Sequence, residues 1–336
     1  MKRYLSGLVL SGLIVAAVLG GGSAGVSPAE AATGHTSTVT AKTIKSASAK
    51  RIFKGGLFVQ PDSEAAVAAG YLTDPAQKKA AKYIAKRSVA IWLGDWQDGD
   101  VLTSYIKRNL EVAEKDGTTP VFVTYALPDR DCGGHSAGGF TAAHYLKWNK
   151  LVAKTLKGHR AVVLVEPDSL AIVDQCPAGT EAKRLPLLKK AVTALKKAAI
   201  PAYLDGATST SIDVNVMAKR LKKAGIASAR GFFTNVANYR ETGAEKSYAA
   251  RLSKLVSNAH YVIDVSRNAK GYTGDWCNAV GAGLGKDPKV IGGKSKLDAL
   301  LWVKTPGASD GECNGGPAAG QWFGSYAAEL VRLRAK

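Results

Sequence analysis

Short apolar, β-branched runs recur about every 30 to 40 residues along most of the chain, at 57–60, 89–93, 121–127, 162–165, 202–204, 232–236, 261–265 and 300–303. Between most of them lie segments with helical period, at 101–114, 142–156, 187–198, 249–256 and 326–333. Strands that alternate with helices form βαβ units and a parallel sheet. Seven or eight such units within one domain favour a closed barrel over an open sheet, so the expected fold is a parallel α/β barrel of about seven strands. A second regularity sits at the strand ends. Asp95, Asp129 with Asp131, Glu166 with Asp168, Asp205, Asp264 and Asp310 all follow apolar runs. The C-terminal tips of a parallel barrel share one rim, so these carboxylates are expected to converge there. A single carboxylate after a strand is usually a helix cap; repetition at six strand ends points to a shared site.

The ends and the charge narrow the setting. Lys2 and Arg3 precede an apolar run at 5–18, and Ala29-Glu30-Ala31 offers a small-x-small cleavage site. Residues 1–31 are therefore predicted to be a signal peptide of an exported protein, with no transmembrane anchor because no stop-transfer pattern follows. Residues 32–51 form a Thr/Ser/Ala/Lys tract without hydrophobic period and are predicted to be a flexible leader. Residues 52–336, without an internal linker, are expected to form one large domain. Of the four cysteines, an exported chain is expected to form disulfides. Three pairings are possible, and Cys132–Cys176 with Cys277–Cys313 closes the shortest loops; the spacing does not suit zinc. The formal net charge is +19. Much of it lies on helix candidates, at Lys183, Arg184, Lys189, Lys190, Lys196, Lys197, Lys219, Arg220, Lys222 and Lys223. These read as solvated helix faces, or as a surface that retains the protein on an anionic cell wall. Nucleic acid is not an expected partner, because the basic residues are spread over many elements and no binding motif is present.

Six motifs carry a more specific message. They are Tyr125 to Cys132 (YALPDRDC), Glu166 to Leu170 (EPDSL), Tyr203-Leu204-Asp205, Asp264 to Asn268 (DVSRN), Gly274 to Asn278 (GDWCN) and Trp302-Val303-Lys304. In this order they resemble family 6 glycoside hydrolases, the inverting β-1,4-glucanases and cellobiohydrolases, over residues 58–323. The resemblance implies a distorted, TIM-like barrel. It implies Asp168 as general acid, Asp131 as the aspartate that charges the acid's surroundings and helps handle water, and Asp310 as the proposed base. It places Tyr125 beside the cleavage point and Asp205 near the sugar, with Trp92 and Trp276 as stacking platforms. It also puts Asn238, Lys304 and Ser136 in contact with substrate. Two carboxylates facing one sugar bond are the minimal equipment for glycoside hydrolysis. The acid must stay protonated near neutral pH, which requires burial or a negative neighbour. Arg130 and Arg267 are candidates to hold Asp131 or Asp310 ionised.

Other motifs add little. The glycines at 133–139 suit a mobile loop better than a phosphate cradle, and 281–286 (GAGLGK) lacks the flanking residues of a P-loop. The five histidines show no metal spacing, so no metal or cofactor is expected. Departures from the family pattern are local. Gly206-Ala207-Thr208 and Ser211 stand where the family has AGH and a tryptophan, and Ala308 replaces a glutamate. The expectation is a secreted, endo-acting β-1,4-glucan hydrolase. The alternatives are a weak or inactive glycan-binding protein on this scaffold, or a hydrolase of another cell-surface polysaccharide.

Overall fold

The computed structural model describes residues 39–336; the expected signal peptide and residues 32–38 of the leader lie outside them. Seven strands run parallel: β1 (Ile91–Gly94), β2 (Val121–Tyr125), β3 (Val162–Val165), β4 (Ala202–Asp205), β5 (Gly231–Thr234), β6 (His260–Asp264) and, after a short β7 (Lys289–Val290), β8 (Leu297–Leu301). The order is β1-β2-β3-β4-β5-β6-β8-β7, with β7 antiparallel on β8. The sheet curls until its ends meet: Ala90 N donates to Trp302 O at 2.9 Å, and the Trp92 indole N–H donates to Val303 O at 2.9 Å. No described helix is long and apolar enough to cross a membrane.

Both faces of the strands are apolar, which explains why the sequence shows continuous runs instead of alternation. Val121, Val123, Val162, Leu164, Tyr203, Phe233, Val262 and Ala299 belong to one interior cluster. Their strand neighbours Phe122, Val163, Leu204, Phe232 and Ile263 pack instead with the helices, including Gly99–Lys115, Ala142–Leu156 and Thr180–Lys197. Three expectations change. The run at 57–60 makes only an isolated bridge, Leu57 to Thr119, because Pro61 follows and Ser63 caps the helix Glu64–Tyr71. The two-residue β7 escaped prediction because it is too short to show a period. The predicted leader is packed from Val39 onward. Val39, Ile44, Ala47, Ile52 and Phe53 join the interior cluster. The tract has no hydrophobic period because its few apolar side chains enter the barrel singly, not along one face of an element.

An ion network fastens this segment to the N-terminal ends of the strands. Arg230 pairs with Asp298 through two bonds of 2.8 Å and donates to Ile44 O at 2.6 Å. Tyr203 OH donates to Asp298 Oδ2 at 2.5 Å, and His260 Nδ1 lies 2.9 Å from Oδ1. Arg230 and Asp298 are 0% and 1% exposed at their side chains. Removing one member of such a pair leaves the other charge buried and unpaired. Arg230→Ala is therefore expected to cost roughly 3–5 kcal/mol in equilibrium unfolding, with much of the loss recovered by pairing it with Asp298→Leu. An Arg230→Ala protein as stable as the wild type would show that the network carries no stability.

Candidate active site

The C-terminal ends of the strands open into a cleft of about 1000 Å³. The chain leaves several strands through left-handed backbone: φ is 57° at Asp131, 54° at Glu166, 68° at Asp168, 61° at Ala207 and 69° at Asn235. Such conformations persist only where surrounding bonds enforce them. Here the enforcing groups are the strand-end carboxylates. Asp95 accepts Gly139 N at 2.6 Å and pairs with Arg130. Glu166 accepts Ala126 N and Leu127 N at 2.9 and 3.0 Å. Asp205 accepts Leu170 N, Ala171 N and Ala207 N, each at 2.9 Å. Asp264 accepts Val303 N, Lys304 N and Ser266 N at 3.2, 3.0 and 2.8 Å. Each carboxylate thus ties down the loop of a neighbouring strand. Of the strand-end acids read from the sequence, these four fix backbone. Asp205 lines the cleft, but it is 3% exposed and its named bonds go to backbone N–H groups, so it positions the turn that carries Asp168.

Four remain: Asp129, whose carbonyl accepts Arg184, and three that line the cleft, Asp131, Asp168 and Asp310, whose surroundings differ. Burial, then the negative charges of Asp205 and Asp131, push the Asp168 carboxyl up to about 8. Asp310 is also buried, yet Arg267 at 2.6 Å and Lys304 at 3.1 Å hold it down at about 2, with Asn278 N donating at 2.9 Å. At neutral pH one acid keeps its proton and the other is ionised. Asp131 Oδ2 accepts both Ser136 N (2.8 Å) and Ser136 Oγ (2.9 Å). Because that hydroxyl proton points to Asp131, Tyr125 OH, 2.9 Å away, is the donor to Ser136 Oγ. The result is a Tyr125–Ser136–Asp131 chain along the cleft wall. Arg267 stands on Asp310 as anticipated, whereas Arg130 turns to Asp95 and to the backbone oxygens of Tyr125 and Ser136.

The structure brings the remaining sequence-derived residues into the same cleft. Trp92, Tyr125, Asn238, Trp276 and Lys304 all line it. Trp92 is half-buried and meets Tyr125 edge-on at 5.2 Å, so only part of its ring faces the cleft. Lys304 donates to Ser309 O as well as pairing with Asp310. Both expected disulfides are present. Cys132–Cys176 joins the loops after β2 and β3, and Cys277–Cys313 joins those after β6 and β8. Thr208, Ser211 and Ala308 also face the cleft, so the departures from the family pattern fall where they alter its lining. Two arginines read as part of a solvated basic face are buried instead: Arg220 pairs with Glu181 and Asp174, and Arg184 donates to Asp129 O (2.5 Å), Cys132 Sγ (3.2 Å) and Ser169 O (3.4 Å). Arg184 clamps the loops of Asp131 and Asp168 together. In the sequence it is one basic residue in a basic helix; its place on the apolar side, between Leu185 and Leu188 and the strands, was the available signal. Trp96, at the tip of β1, was overlooked.

Comparison with known proteins agrees with this geometry. Residues 53–334 match the family model of glycosyl hydrolases family 6. Endoglucanase A of Cellulomonas fimi is 38% identical over 277 residues, 82% of this chain and 61% of that protein. Endoglucanase 1 of Streptomyces halstedii is 32% identical over 292 residues, 82% of this chain and 88% of that protein. The structure of endoglucanase Cel6 from Mycobacterium tuberculosis, in complex with methyl-cellobiosyl-4-deoxy-4-thio-β-D-cellobioside, superposes with a TM-score of 0.78 at 35% identity. It covers 82% of this chain and 96% of that one. The chain belongs to glycosyl hydrolases family 6.

The protonation pattern has consequences for stability. Burial raises Glu166 to about 7, and Asp168 stands at about 8. Both acids bind their protons more tightly in the folded chain than in the unfolded one. Stability is therefore expected to fall as pH rises from the ordinary carboxylate range, about 4, through 7 to 8. Calorimetry should give a higher Tm at pH 5 than at pH 8. The reverse order would contradict the raised proton affinity of these buried acids.

Proposed function

We propose that this member of glycosyl hydrolases family 6 is an exported hydrolase of β-1,4-glucan, endo-acting and inverting, with Asp168 as general acid. The observation that carries the reading is the opposed state of two acids in one cleft: Asp168 raised to about 8 and Asp310 lowered to about 2. Titratable groups driven apart in this way mark an acid and an anion with separate tasks. In the proposed reaction Asp168 gives its proton to the glycosidic oxygen as the C1–O bond breaks, and that oxygen keeps the bonding electrons. Water attacks C1 from the opposite face and releases a proton. The family resemblance puts the base at Asp310. Ion-paired twice, Asp310 has little affinity for a proton. We assign it the electrostatic part, opposing positive charge at C1, and assign the water's proton to the Asp131–Ser136 pair.

The finer parts of the reading have separate support. The relatives named endoglucanases favour internal cleavage over release from chain ends. Two disulfides suit an oxidising, extracellular setting. Lys183, Lys190 and Lys197 recur at seven-residue spacing on the helix Thr180–Lys197 and are exposed, which supports retention on an anionic wall.

Hydrolysis of cellohexaose by the mature protein, with anomer-resolved product analysis, tests the reaction. The wild type should release α-anomers, and Asp168→Ala should lower kcat by about 10²–10⁴-fold. kcat/KM should decline above about pH 8 as Asp168 ionises. Asp131→Asn, which removes a negative neighbour, should move that limb to lower pH. Oligomer binding without turnover would favour a glycan-binding protein whose cleft has been altered at Thr208, Ser211 and Ala308. Neither binding nor turnover would point to another polysaccharide.

A further inference from the structure

We infer that Trp96 is an additional sugar-stacking platform that lengthens the cleft beyond Trp92 and takes the apolar face of a pyranose ring in a long glucan chain; the inference rests on the glucan-hydrolase reading above. The chain has six tryptophans. Trp148 and Trp302 are buried, and Trp92 and Trp322 are half-buried. The other two, Trp96 and Trp276, are 55% and 54% exposed, and both line the cleft. An indole left half bare forgoes the burial that large aromatic side chains normally obtain. That both bare indoles sit in one cleft points to a shared ligand.

Trp96 is also held in place without being covered. Its ring lies against the backbone at the tip of β1, where a Cβ on Gly94 would come within 2.2 Å of it. The Arg130 guanidinium stands 5.4 Å from the Trp96 ring and 4.9 Å from the Tyr125 ring. Arg130 is itself fixed by Asp95, by Tyr125 O at 3.0 Å and by Ser136 O at 2.8 Å. Gln97, the next residue, is anchored through its carbonyl by the Trp148 indole at 2.8 Å. A rigid, exposed aromatic loses little freedom when a ligand docks on it, which is the condition for a productive contact. Trp96 is linked to Tyr125 through Arg130, which contacts both rings. Trp96 follows Trp92 past the tip of β1, so a chain long enough to pass Trp92 would reach it. The competing account is that Trp96 merely covers Arg130 and steadies the catalytic loop. That account makes its loss equally harmful for short and long substrates.

The test is kinetic. Wild type, Trp96→Ala and Trp96→Phe are assayed on cellotetraose and cellohexaose. Binding of both oligomers is measured by calorimetry in an Asp168→Ala background, where turnover does not interfere. The ratio of kcat/KM for hexaose over tetraose should fall about tenfold in Trp96→Ala, through KM more than kcat, the scale of one aromatic contact. Trp96→Phe should recover most of the ratio. Calorimetry should show the same loss of preference for the hexamer. An unchanged ratio, whether activity falls equally on both substrates or not at all, would overturn the inference while leaving the hydrolase reading intact. If the wild type hydrolyses neither oligomer and the Asp168→Ala protein binds neither, the glucan reading fails and Trp96 loses its proposed role with it.

Discussion

The site depends on one repeated bond, a strand-end carboxylate accepting backbone N–H groups from the loop of a neighbouring strand. Glu166 holds the start of the loop that carries Asp131, Asp205 holds the turn that carries Asp168, and Asp264 holds the segment leading to Lys304. These bonds are charge-assisted when the carboxylate is ionised, and they lie in surroundings of low dielectric. They hold backbone in left-handed conformations that these loops would otherwise leave. Arg184 and the Cys132–Cys176 bridge add a second set of ties between the loops after β2 and β3. The acids of the cleft are thus placed by the barrel itself, and their precision comes from many short bonds between adjacent loops.

The same packing sets the electrostatics. Placing Asp205 and Asp131 near Asp168 makes ionisation of Asp168 unfavourable, while Arg267 and Lys304 make that of Asp310 favourable. Asp205 therefore acts twice, as a fastener of backbone and as a source of negative charge. The cost falls on stability, because several buried acids are held above their ordinary proton affinity. The Arg230–Asp298 network and the packed N-terminal segment, at the other ends of the strands, are where the barrel is stabilised without touching the site.

Much of this was legible in the chain. The seven parallel strands stood out because each is buried on both faces, and the positions of Asp131, Asp168 and Asp310 followed from strand ends and family motifs. Strand position alone could not separate the task of each carboxylate. Asp205 and Asp168 look alike after their strands, and only the direction of neighbouring N–H groups tells a fastener from a free acid. The segment from Val39 was misread because its apolar residues act one at a time, so no period announces them. Arg184 was hidden by its many basic neighbours, although it is buried while the lysines around it are not. Trp96 was missed because a tryptophan just past a strand end matches either wall or platform until its exposure is known.

The central claim is that Asp168 carries a proton at neutral pH beside an ionised Asp310. The most direct measurement is a carboxyl ¹³C NMR titration of aspartate-labelled protein, with the two signals assigned by Asp168→Asn and Asp310→Asn. The account predicts an Asp168 signal that titrates near pH 8 and an Asp310 signal that stays ionised down to about pH 2. An Asp168 that titrates at the ordinary aspartate value, about 4, would contradict it.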